Sequence, residues 1–221
     1  PAVTEAIRAA MGDAAVAAAK AIGYYSAGTV EFLLSGDEFF FLEVNTRLQV
    51  EHPITEEITG LDLVREQIRV AEGHALEFEQ KDLRISGHAI EARIYAENPT
   101  RDFLPAPGTI KAWQPSTVAK ARFDSGIETG SIIGTQFDPM IAKVIVHAKT
   151  RAEAISRLAR VLETTRIQGL TTNRDFLVAT LRTQAFLDGD TTTDFIERIN
   201  PARETIVANE HLQHAAIAAA I

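Results

Sequence analysis

The residues best suited to chemistry lie between positions 29 and 52, where two apolar runs flank the turn SGDE and a polar loop follows. This pattern predicts a β-hairpin with strands at residues 30–34 and 39–45. If Ser35 faces Phe39 across a three-residue turn, one face is wholly apolar, whereas a slip of one residue mixes apolar and charged side chains. The apolar face then contains Val30, Phe32, Leu34, Phe40, Leu42 and Val44. On the other face, Glu31 lies directly opposite Glu43.

Two carboxylates that face each other across a strand pair lie roughly 5 Å apart at Cβ. At an effective dielectric of about 20, their repulsion is on the order of 3 kcal/mol. Such a pair indicates a stabilising partner, which could be a bound cation, a shared proton or a nearby arginine. Asn45 adds a neutral oxygen, so that Glu31, Glu43 and Asn45 form an oxygen ligand set suited to magnesium or manganese. The alternative is a solvated face on which the two glutamates splay apart.

The loop after the hairpin places Arg47, Gln49 and Glu51 at alternating positions. Arg47 offers a planar donor fork for a small oxyanion, and Glu51 is a candidate general base. The alternative is a surface ion pair between Arg47 and Glu51, which would contribute little. His52 precedes Pro53, which favours an extended backbone at His52, and we assign this histidine a structural role.

A second polar face is predicted at residues 87–97, where apolar and polar side chains alternate as in a strand. One face carries His88, Ile90, Ala92, Ile94 and Ala96, and the other carries Glu91, Arg93, Tyr95 and Glu97. Arg93 therefore projects from a rigid element, where it could bind a ligand or pair with Glu91 or Glu97.

The remaining periodicity predicts the elements that surround these residues. Helices are predicted at residues 4–22, 62–72, 150–166, 173–183 and 194–199. Thr150 and Glu153 form a capping box at the start of the third helix. Strands are predicted at residues 108–113, 118–123 and 140–148, in a second, mostly antiparallel sheet with Trp113 in its core. Together these elements predict an α+β fold.

Composition and charge exclude several classes of protein. The chain has 221 residues, a net charge of −8 and no cysteine. Disulfides and thiolate chemistry are therefore excluded, and non-specific binding to nucleic acid is not expected of an acidic chain without a basic tract. The chain also lacks an apolar run of the ~18 residues that a membrane span needs. We expect a cytoplasmic protein with neither a membrane nor a nucleic-acid partner.

Four stretches resemble biotin carboxylase, the ATP-dependent component of acyl-CoA carboxylases. They are GTVEFLLSGDEFFFLEVNTRLQVEHPITEEITGLDLVREQIRVAEG (residues 28–73), GHAIEARIYAENP (87–99), FLPAPGTI (103–110) and FDPMIAKVIVHAKTRAEAISRLARVLETTRIQGLTTNRDFL (137–177). The resemblance implies that residues 1–84 form the second half of an ATP-grasp domain. It further implies that residues 85–200 form the biotin carboxylase C-terminal domain and that residues 201–221 form a tail or the start of a further region.

The run EVNTRLQVEHP at residues 43–53 is the most specific part of this resemblance. Other ATP-grasp ligases keep the two acidic positions and the asparagine but lack the segment that follows. By resemblance, Glu31, Glu43 and Asn45 match the ligands of the magnesium or manganese ions that hold the ATP phosphates. Leu33 matches an apolar wall of the adenine pocket, so that Glu31, Leu33 and Glu43 are implied to bind ATP.

The resemblance also implies the substrate-binding and catalytic residues. Arg47, Gln49 and the Val50 backbone match a bicarbonate site, and Glu51 matches the base that deprotonates bicarbonate. Arg93 matches the arginine that stabilises the biotin enolate. In that family the reaction runs through carboxyphosphate, whose carbon dioxide is captured by biotin. The implied cofactors are ATP, Mg²⁺ or Mn²⁺, and biotin held by a carrier and not by this chain.

The implied partners are a biotin carboxyl carrier domain, a carboxyltransferase subunit and a second copy of the parent chain in a homodimer. We find neither a Gly-rich phosphate loop with its lysines nor an Ala-Met-Lys-Met type biotin motif in the sequence. We therefore expect the chain to be a fragment that is inactive in isolation. Two alternatives remain, which are a different ATP-grasp ligase such as a carbamoyl-phosphate synthetase relative, and a non-catalytic dimerisation module. The Arg47–His52 segment and the Arg93 strand argue against the former.

Overall fold

The structure, a computed structural model, describes residues 3–204 and combines helices with antiparallel strand pairs. The chain folds into two units, Pro1–Ala89 and Ile90–Ile221. The predicted tail lies largely outside the described residues. In the described part of the chain, no helix has both the length and the hydrophobicity that crossing a membrane requires.

The N-terminal unit is built from a hairpin and three helices. These elements are α1 (Glu5–Ala21), β1 (Thr29–Ser35), β2 (Glu38–Asn45), α2 (His52–Thr59) and α3 (Leu63–Ala71). The sequence predicts α1 and α3 to within a residue at each end, because Thr4 and Asp62 accept hydrogen bonds from the amides of Ile7 and Arg65 as N-caps.

The hairpin register agrees with the prediction at one end and differs at the other. Glu31 pairs with Glu43 and Thr29 with Asn45, as predicted, but Ser35 pairs with Glu38 and not with Phe39. A β-bulge between Glu31 and Phe32 absorbs the extra residue. The turn therefore has two central residues, and Gly36 (φ +59°) supplies the positive φ that such a turn requires.

The bulge also changes which side chains share a face. The prediction that Phe40 and Leu42 lie beside Phe32 and Leu34 is wrong, because pairing beyond the bulge brings Phe41 opposite Phe32 and Phe39 opposite Leu34. The rings of Phe39 and Phe41 meet Phe32 edge to face, with centroids 5.3 and 6.5 Å apart.

Helix α2, which begins at His52, is not predicted from the sequence. The prediction of an extended backbone at His52 is wrong, because His52 is the first helical residue and Pro53 the second. Proline is tolerated in the first helical turn, where its missing N–H has no intrahelical acceptor. The helix ends at Gly60, which adopts the left-handed conformation with φ 77°.

The C-terminal unit contains several short antiparallel pairs around one three-stranded sheet. Its strands are β3 (His88–Tyr95), β4 (Glu97–Asn98), β5 (Leu104–Pro105), β6 (Gly108–Thr109), β7 (Ala112–Gln114), β8 (Arg122–Ser125), β9 (Ile132–Ile133), β10 (Met140–Ala148) and β11 (Arg166–Gln168). The three-stranded sheet has the order β3-β10-β8, and the pairs are β4-β5, β6-β9 and β7-β11. The strand predicted at residues 108–113 is thus divided between two pairs.

Four α-helices complete the part of this unit that the structure describes. They are α4 (Arg151–Thr164), α5 (Arg174–Leu181), α6 (Gln184–Asp188) and α7 (Phe195–Ile199). The predicted capping box at the start of α4 is confirmed, since Thr150 and Glu153 each accept a hydrogen bond from the other's backbone amide. The buried face of α4 packs with β10 and with the even-numbered side of β3 in one apolar cluster. That side of β3 is buried at Ala92, Ile94 and Ala96, as the alternation predicts.

An ion-pair group joins the other two strands of the sheet. Arg122 donates to both oxygens of Asp124, at 2.8 and 2.9 Å, and Lys143 Nζ lies 3.5 Å from Asp124 Oδ2. Burial of Asp124 opposes ionisation, but its hydrogen bonds and charge interactions with Arg122 and Lys143 hold its pKa below the ordinary value. The carboxylate therefore stabilises the fold above its unfolded-state pKa of about 3.9, and this contribution is lost as the pH falls through the folded-state pKa.

We predict that Asp124→Asn lowers the free energy of unfolding by about 1–3 kcal/mol at pH 7, as expected for a charged hydrogen-bond partner. The loss should shrink steadily below pH 4, because the wild-type carboxyl is then protonated as well. Urea unfolding across pH 2.5–7 measures the difference, and Asp37→Asn in the exposed hairpin turn is the control. A difference that does not vary with pH would contradict this assignment.

Candidate functional site

The two facing glutamates of the hairpin are bridged by amide groups. Asn45 Nδ2 donates to Glu31 Oε1 at 2.7 Å and to Glu43 Oε1 at 3.2 Å. Gln49 Nε2 donates to the same Glu31 oxygen at 3.0 Å. From the sequence, the expected partner of this pair is a cation, a proton or an arginine. Neutral amide hydrogens fill that role here, because they offset part of the repulsion between the carboxylates.

Arg47 is linked to this acidic pair through Asn45. Its Nη2 donates to Asn45 Oδ1 at 3.3 Å, and its Nη1 donates to the Leu48 carbonyl at 3.4 Å. Both ends of the Asn45 amide thus have a suitable partner. Its NH₂ group donates to carboxylates, and its oxygen accepts from a guanidinium. Asn45 thus connects the predicted metal ligands with the predicted anion site.

The Glu31, Glu43 and Asn45 group fits a hard cation after one local change. Within residues 3–204, no three His, Cys, Asp or Glu side chains come together as a metal site, so the two glutamates need at least one ligand of another kind. The carboxylates of Glu31 and Glu43 both contact one atom, the Asn45 nitrogen. With the Asn45 amide turned over, the three side chains would offer three oxygens to a cation.

Next to this group, three of the four residues predicted as the bicarbonate site and its base line one cavity. Arg47, Gln49 and Glu51 are on the wall of a cavity of about 360 Å³, with Ser26, Gly28, Thr29, His52 and Thr55 among the other lining residues. The fourth predicted residue, Val50, lies between them in sequence but is not part of this lining. A guanidinium, an amide and a carboxylate on one wall can bind a small oxyanion and accept its proton.

Helix α2 fixes the carboxyl end of this loop. Glu51 is its N-cap residue. Glu56, in its second turn, is only 8% exposed. Glu56 Oε1 accepts a 2.9 Å hydrogen bond from the Leu63 amide and lies 3.2 Å from His52 Nδ1. These contacts support the structural role predicted for His52. Glu56 is not predicted from the sequence, although its spacing of four residues from His52 points to it once α2 is recognised.

Leu33, the predicted wall of an adenine pocket, is on the hairpin beyond the bulge. Its side chain is 61% exposed, and it pairs with Phe40. This exposed apolar position is compatible with contact to a ligand, and the role in adenine binding stays a prediction.

Arg93 lies in the C-terminal unit on the polar side of β3. Its Nε is 3.6 Å from Glu91 Oε1, and the Glu91 side chain is only 5% exposed. Of the two ion pairs considered from the sequence, the structure thus forms the one with Glu91. Glu97 lies in a different environment, where burial and then the nearby carboxylate of Asp138 raise its pKa. Asn173, which is not among the predicted site residues, hydrogen-bonds to the backbone on both sides of Ile94.

Two protein families match this chain. The pattern described as biotin carboxylase C-terminal domain matches residues 91–198. The pattern described as carbamoyl-phosphate synthase L chain, ATP binding domain, matches residues 1–79.

Known relatives align with most of this chain but extend well beyond it. Biotin carboxylase 2 of Bacillus subtilis (strain 168) is 50% identical over 199 residues, which are 90% of this chain and 45% of the relative. The mitochondrial methylcrotonoyl-CoA carboxylase subunit alpha of Oryza sativa subsp. japonica is 50% identical over 202 residues, which are 90% of this chain and 27% of the relative. The chain therefore spans less than half the length of these curated relatives.

A solved structure shows the same relation. The biotin carboxylase domain dimer of Hydrogenobacter thermophilus 2-oxoglutarate carboxylase, in complex with MgADP, ADP and bicarbonate, matches with a TM-score of 0.89 and 39% identity. The match covers 93% of this chain and 46% of that chain.

We predict that Asn45→Ala lowers the free energy of unfolding by about 1–3 kcal/mol, because it leaves the Glu31 and Glu43 carboxylates facing each other without their shared donor. In a Glu43→Gln background the loss should be smaller, because one of the two like charges has been removed. A double-mutant cycle by urea unfolding at low ionic strength measures this coupling. Thr46→Ala at the exposed neighbouring position is the control, and equal losses in both backgrounds would show that Asn45 does not compensate the pair.

Proposed function

Because the chain belongs to the biotin carboxylase family, we propose that it forms part of an enzyme that carboxylates carrier-bound biotin with ATP and bicarbonate. The observation that carries this proposal is the Asn45 amide, which joins an acidic pair suited to a metal ion to the Arg47, Gln49 and Glu51 wall of a cavity. This chain spans 45% and 27% of these relatives, so the activity is proposed for an enzyme that contains this chain together with their other regions.

We assign Glu31, Glu43 and Asn45 to the binding of Mg²⁺ or Mn²⁺. The metal, when bound, would neutralise charge on the ATP phosphates during phosphoryl transfer. For its oxygen to face the metal, the Asn45 amide must turn over, and this removes the acceptor now used by Arg47 Nη2. The guanidinium is then available to an anion. Leu33, beyond the bulge, is proposed to contact the adenine ring.

The cavity beside the hairpin is the proposed bicarbonate site. Arg47 and Gln49 donate to the bicarbonate oxygens and hold the ion against the Glu51 carboxylate. The Val50 backbone, which lies outside the cavity lining, is assigned to this site by the resemblance alone. Glu51 accepts the bicarbonate proton, and the freed oxygen forms a bond to the γ-phosphorus of ATP as the bond to ADP breaks. Carboxyphosphate is the product of this step, and its decay supplies carbon dioxide and phosphate.

Arg93 is proposed to act on biotin. The phosphate released from carboxyphosphate is proposed to take the N1′ proton of biotin, which places negative charge on the ureido oxygen. A guanidinium on a rigid strand can stabilise that oxyanion. The nitrogen then attacks carbon dioxide. The buried Glu91 carboxylate, 3.6 Å from Arg93 Nε, limits the directions in which the arginine can point.

Biotin is proposed to arrive on a carrier domain, and the carboxyl group is proposed to pass to a carboxyltransferase. The relatives are named for several different carboxylases, so no single acyl group is assigned to the acceptor. The solved relative described above is a domain dimer, which supports a homodimer here. A carbamoyl-phosphate synthase type of ligase is disfavoured, because the biotin carboxylase C-terminal pattern covers the Arg93 strand and continues to residue 198.

We predict that Mn²⁺ added to the chain broadens the side-chain amide NMR signal of Asn45 before those of other asparagines. Glu31→Gln and Glu43→Gln should each raise the Mn²⁺ concentration needed for this broadening by about tenfold, because each removes one anionic ligand. Glu38→Gln, at the other end of the same hairpin opposite Ser35, should leave it unchanged. Equal weakening by all three variants would indicate diffuse attraction to the acidic surface and would contradict a site at this position.

A chimera tests the enzymatic proposal directly. When this chain replaces the matching 199 residues of Biotin carboxylase 2, we expect biotin-dependent ATP hydrolysis. Glu51→Gln should reduce it by about 10²-fold or more. Arg93→Ala should reduce biotin carboxylation while nucleotide binding persists, and Arg65→Ala on the exposed side of α3 is the control. A folded chimera that binds nucleotide without turnover would contradict the proposal.

The 221-residue chain alone, assayed in parallel, is predicted to show no turnover.

A further inference from the structure

Asn173 uses its whole side-chain amide to hold the backbone of the strand that carries Arg93. Its Nδ2 donates to the Arg93 carbonyl at 3.1 Å, and its Oδ1 accepts from the Tyr95 amide at 3.0 Å. The Asn173 backbone amide also donates to the Tyr95 carbonyl at 3.2 Å. Asn173 is only 6% exposed, so these three bonds form in an environment where water does not readily replace them.

The position of β3 in the sheet explains why these contacts matter. The strand order β3-β10-β8 leaves β3 at one edge, where alternate backbone groups have no strand to pair with. Backbone groups of residues 93 and 95 point to the same side of a strand, because hydrogen-bonding direction alternates along the chain. The Asn173 amide therefore takes the place of a neighbouring strand at the residue that carries the arginine side chain.

Asn173 is itself held by the packing of α5. It is the N-cap residue of this helix, and its carbonyl accepts from the Leu177 amide at 3.0 Å. Phe176 and Leu181 of the same helix are buried, and Leu181 belongs to the core cluster that contains Leu158 and Leu162 of α4. The amide is thus fixed to the core of the unit.

We propose that Asn173 is a positioning residue for Arg93, an inference that rests on the role in biotin binding proposed for Arg93 above. Asn173 fixes the backbone from which the side chain leaves, while the buried Glu91 carboxylate lies 3.6 Å from Arg93 Nε. Arg93 is thereby oriented at its backbone by Asn173 and at its guanidinium by Glu91. Displacement of a substrate-stabilising group by about 1 Å can reduce a rate by about 10²-fold, so the loss of this support should reduce biotin carboxylation.

The first test uses the chain itself and requires no activity. The Nε–Hε NMR signal of Arg93, assigned by its loss in Arg93→Lys, should shift in Asn173→Ala and in Asn173→Asp. Exchange of the Tyr95 amide hydrogen should accelerate by about tenfold or more in Asn173→Ala and by less in Asn173→Asp, which keeps an acceptor for that amide. Asn98→Ala is the matched control, because Asn98 also accepts from a backbone amide, that of Thr100, at 3.0 Å. An unchanged Arg93 signal in both Asn173 variants would overturn the inference.

The second test uses the chimera described above and measures the ratio of biotin-dependent to biotin-independent ATP hydrolysis. A loss of folded protein lowers both rates together, whereas misplacement of Arg93 lowers the ratio. We expect Asn173→Asp to lower the ratio by about tenfold or more and Asn98→Ala to leave it unchanged. If Arg93→Ala lowers the ratio and Asn173→Asp does not, the positioning role is wrong while the proposed function stands. If Arg93→Ala leaves the ratio unchanged, the proposed role of Arg93 is wrong, and the NMR test alone decides whether Asn173 holds its strand.

Discussion

The arrangement of the N-terminal unit depends on two carboxylates held face to face in one hairpin. Glu31 and Glu43 are direct cross-strand partners, and such like-charged pairs destabilise a sheet unless something compensates them. The compensation comes from the residues that immediately follow β2, because Asn45 and Gln49 both donate to Glu31. The course of the polar loop is thereby tied to the acidic pair. That connection brings Arg47, Gln49 and Glu51 to one cavity wall beside the hairpin.

The β-bulge reconciles this acidic pair with the turn. A tight two-residue turn at Gly36 and Asp37 sets a register that, continued without interruption, would place Glu31 opposite Leu42. The extra residue in β2 shifts the register between Glu31 and Phe32. As a result, Glu31 faces Glu43 while Phe32 keeps its edge-to-face contacts with Phe39 and Phe41. The bulge therefore lets an acidic end and an aromatic end occupy the same short hairpin.

Much of the fold could be predicted where the signal is local. Caps such as Thr4, Asp62 and Thr150 mark helix starts, and the alternation at residues 87–97 predicts both faces of β3. The bulge was not predicted because the choice between a two-residue and a three-residue turn has a smaller effect on stability than the packing of the aromatic side chains. That packing depends on contacts across the hairpin. Helix α2 was missed because Pro53 suggests an extended neighbour, although proline is also compatible with a first helical turn.

The residues of the candidate site are named from the sequence, and their roles stay predictions. The contacts that support these residues could not be predicted, because they join residues that are distant in sequence. Asn173 contacts Arg93 across 80 residues, and no local pattern records that pairing. Once seen, the choice of asparagine has a physical reason, since both Asn45 and Asn173 use their amide as donor and acceptor at once. An aspartate at position 45 would add a third negative charge beside Glu31 and Glu43. At position 173 it would place an oxygen without a hydrogen against the Arg93 carbonyl. In each unit, therefore, a neutral group with opposite polarity at its two ends supports a charged residue of the site, which a carboxylate of the same shape could not do.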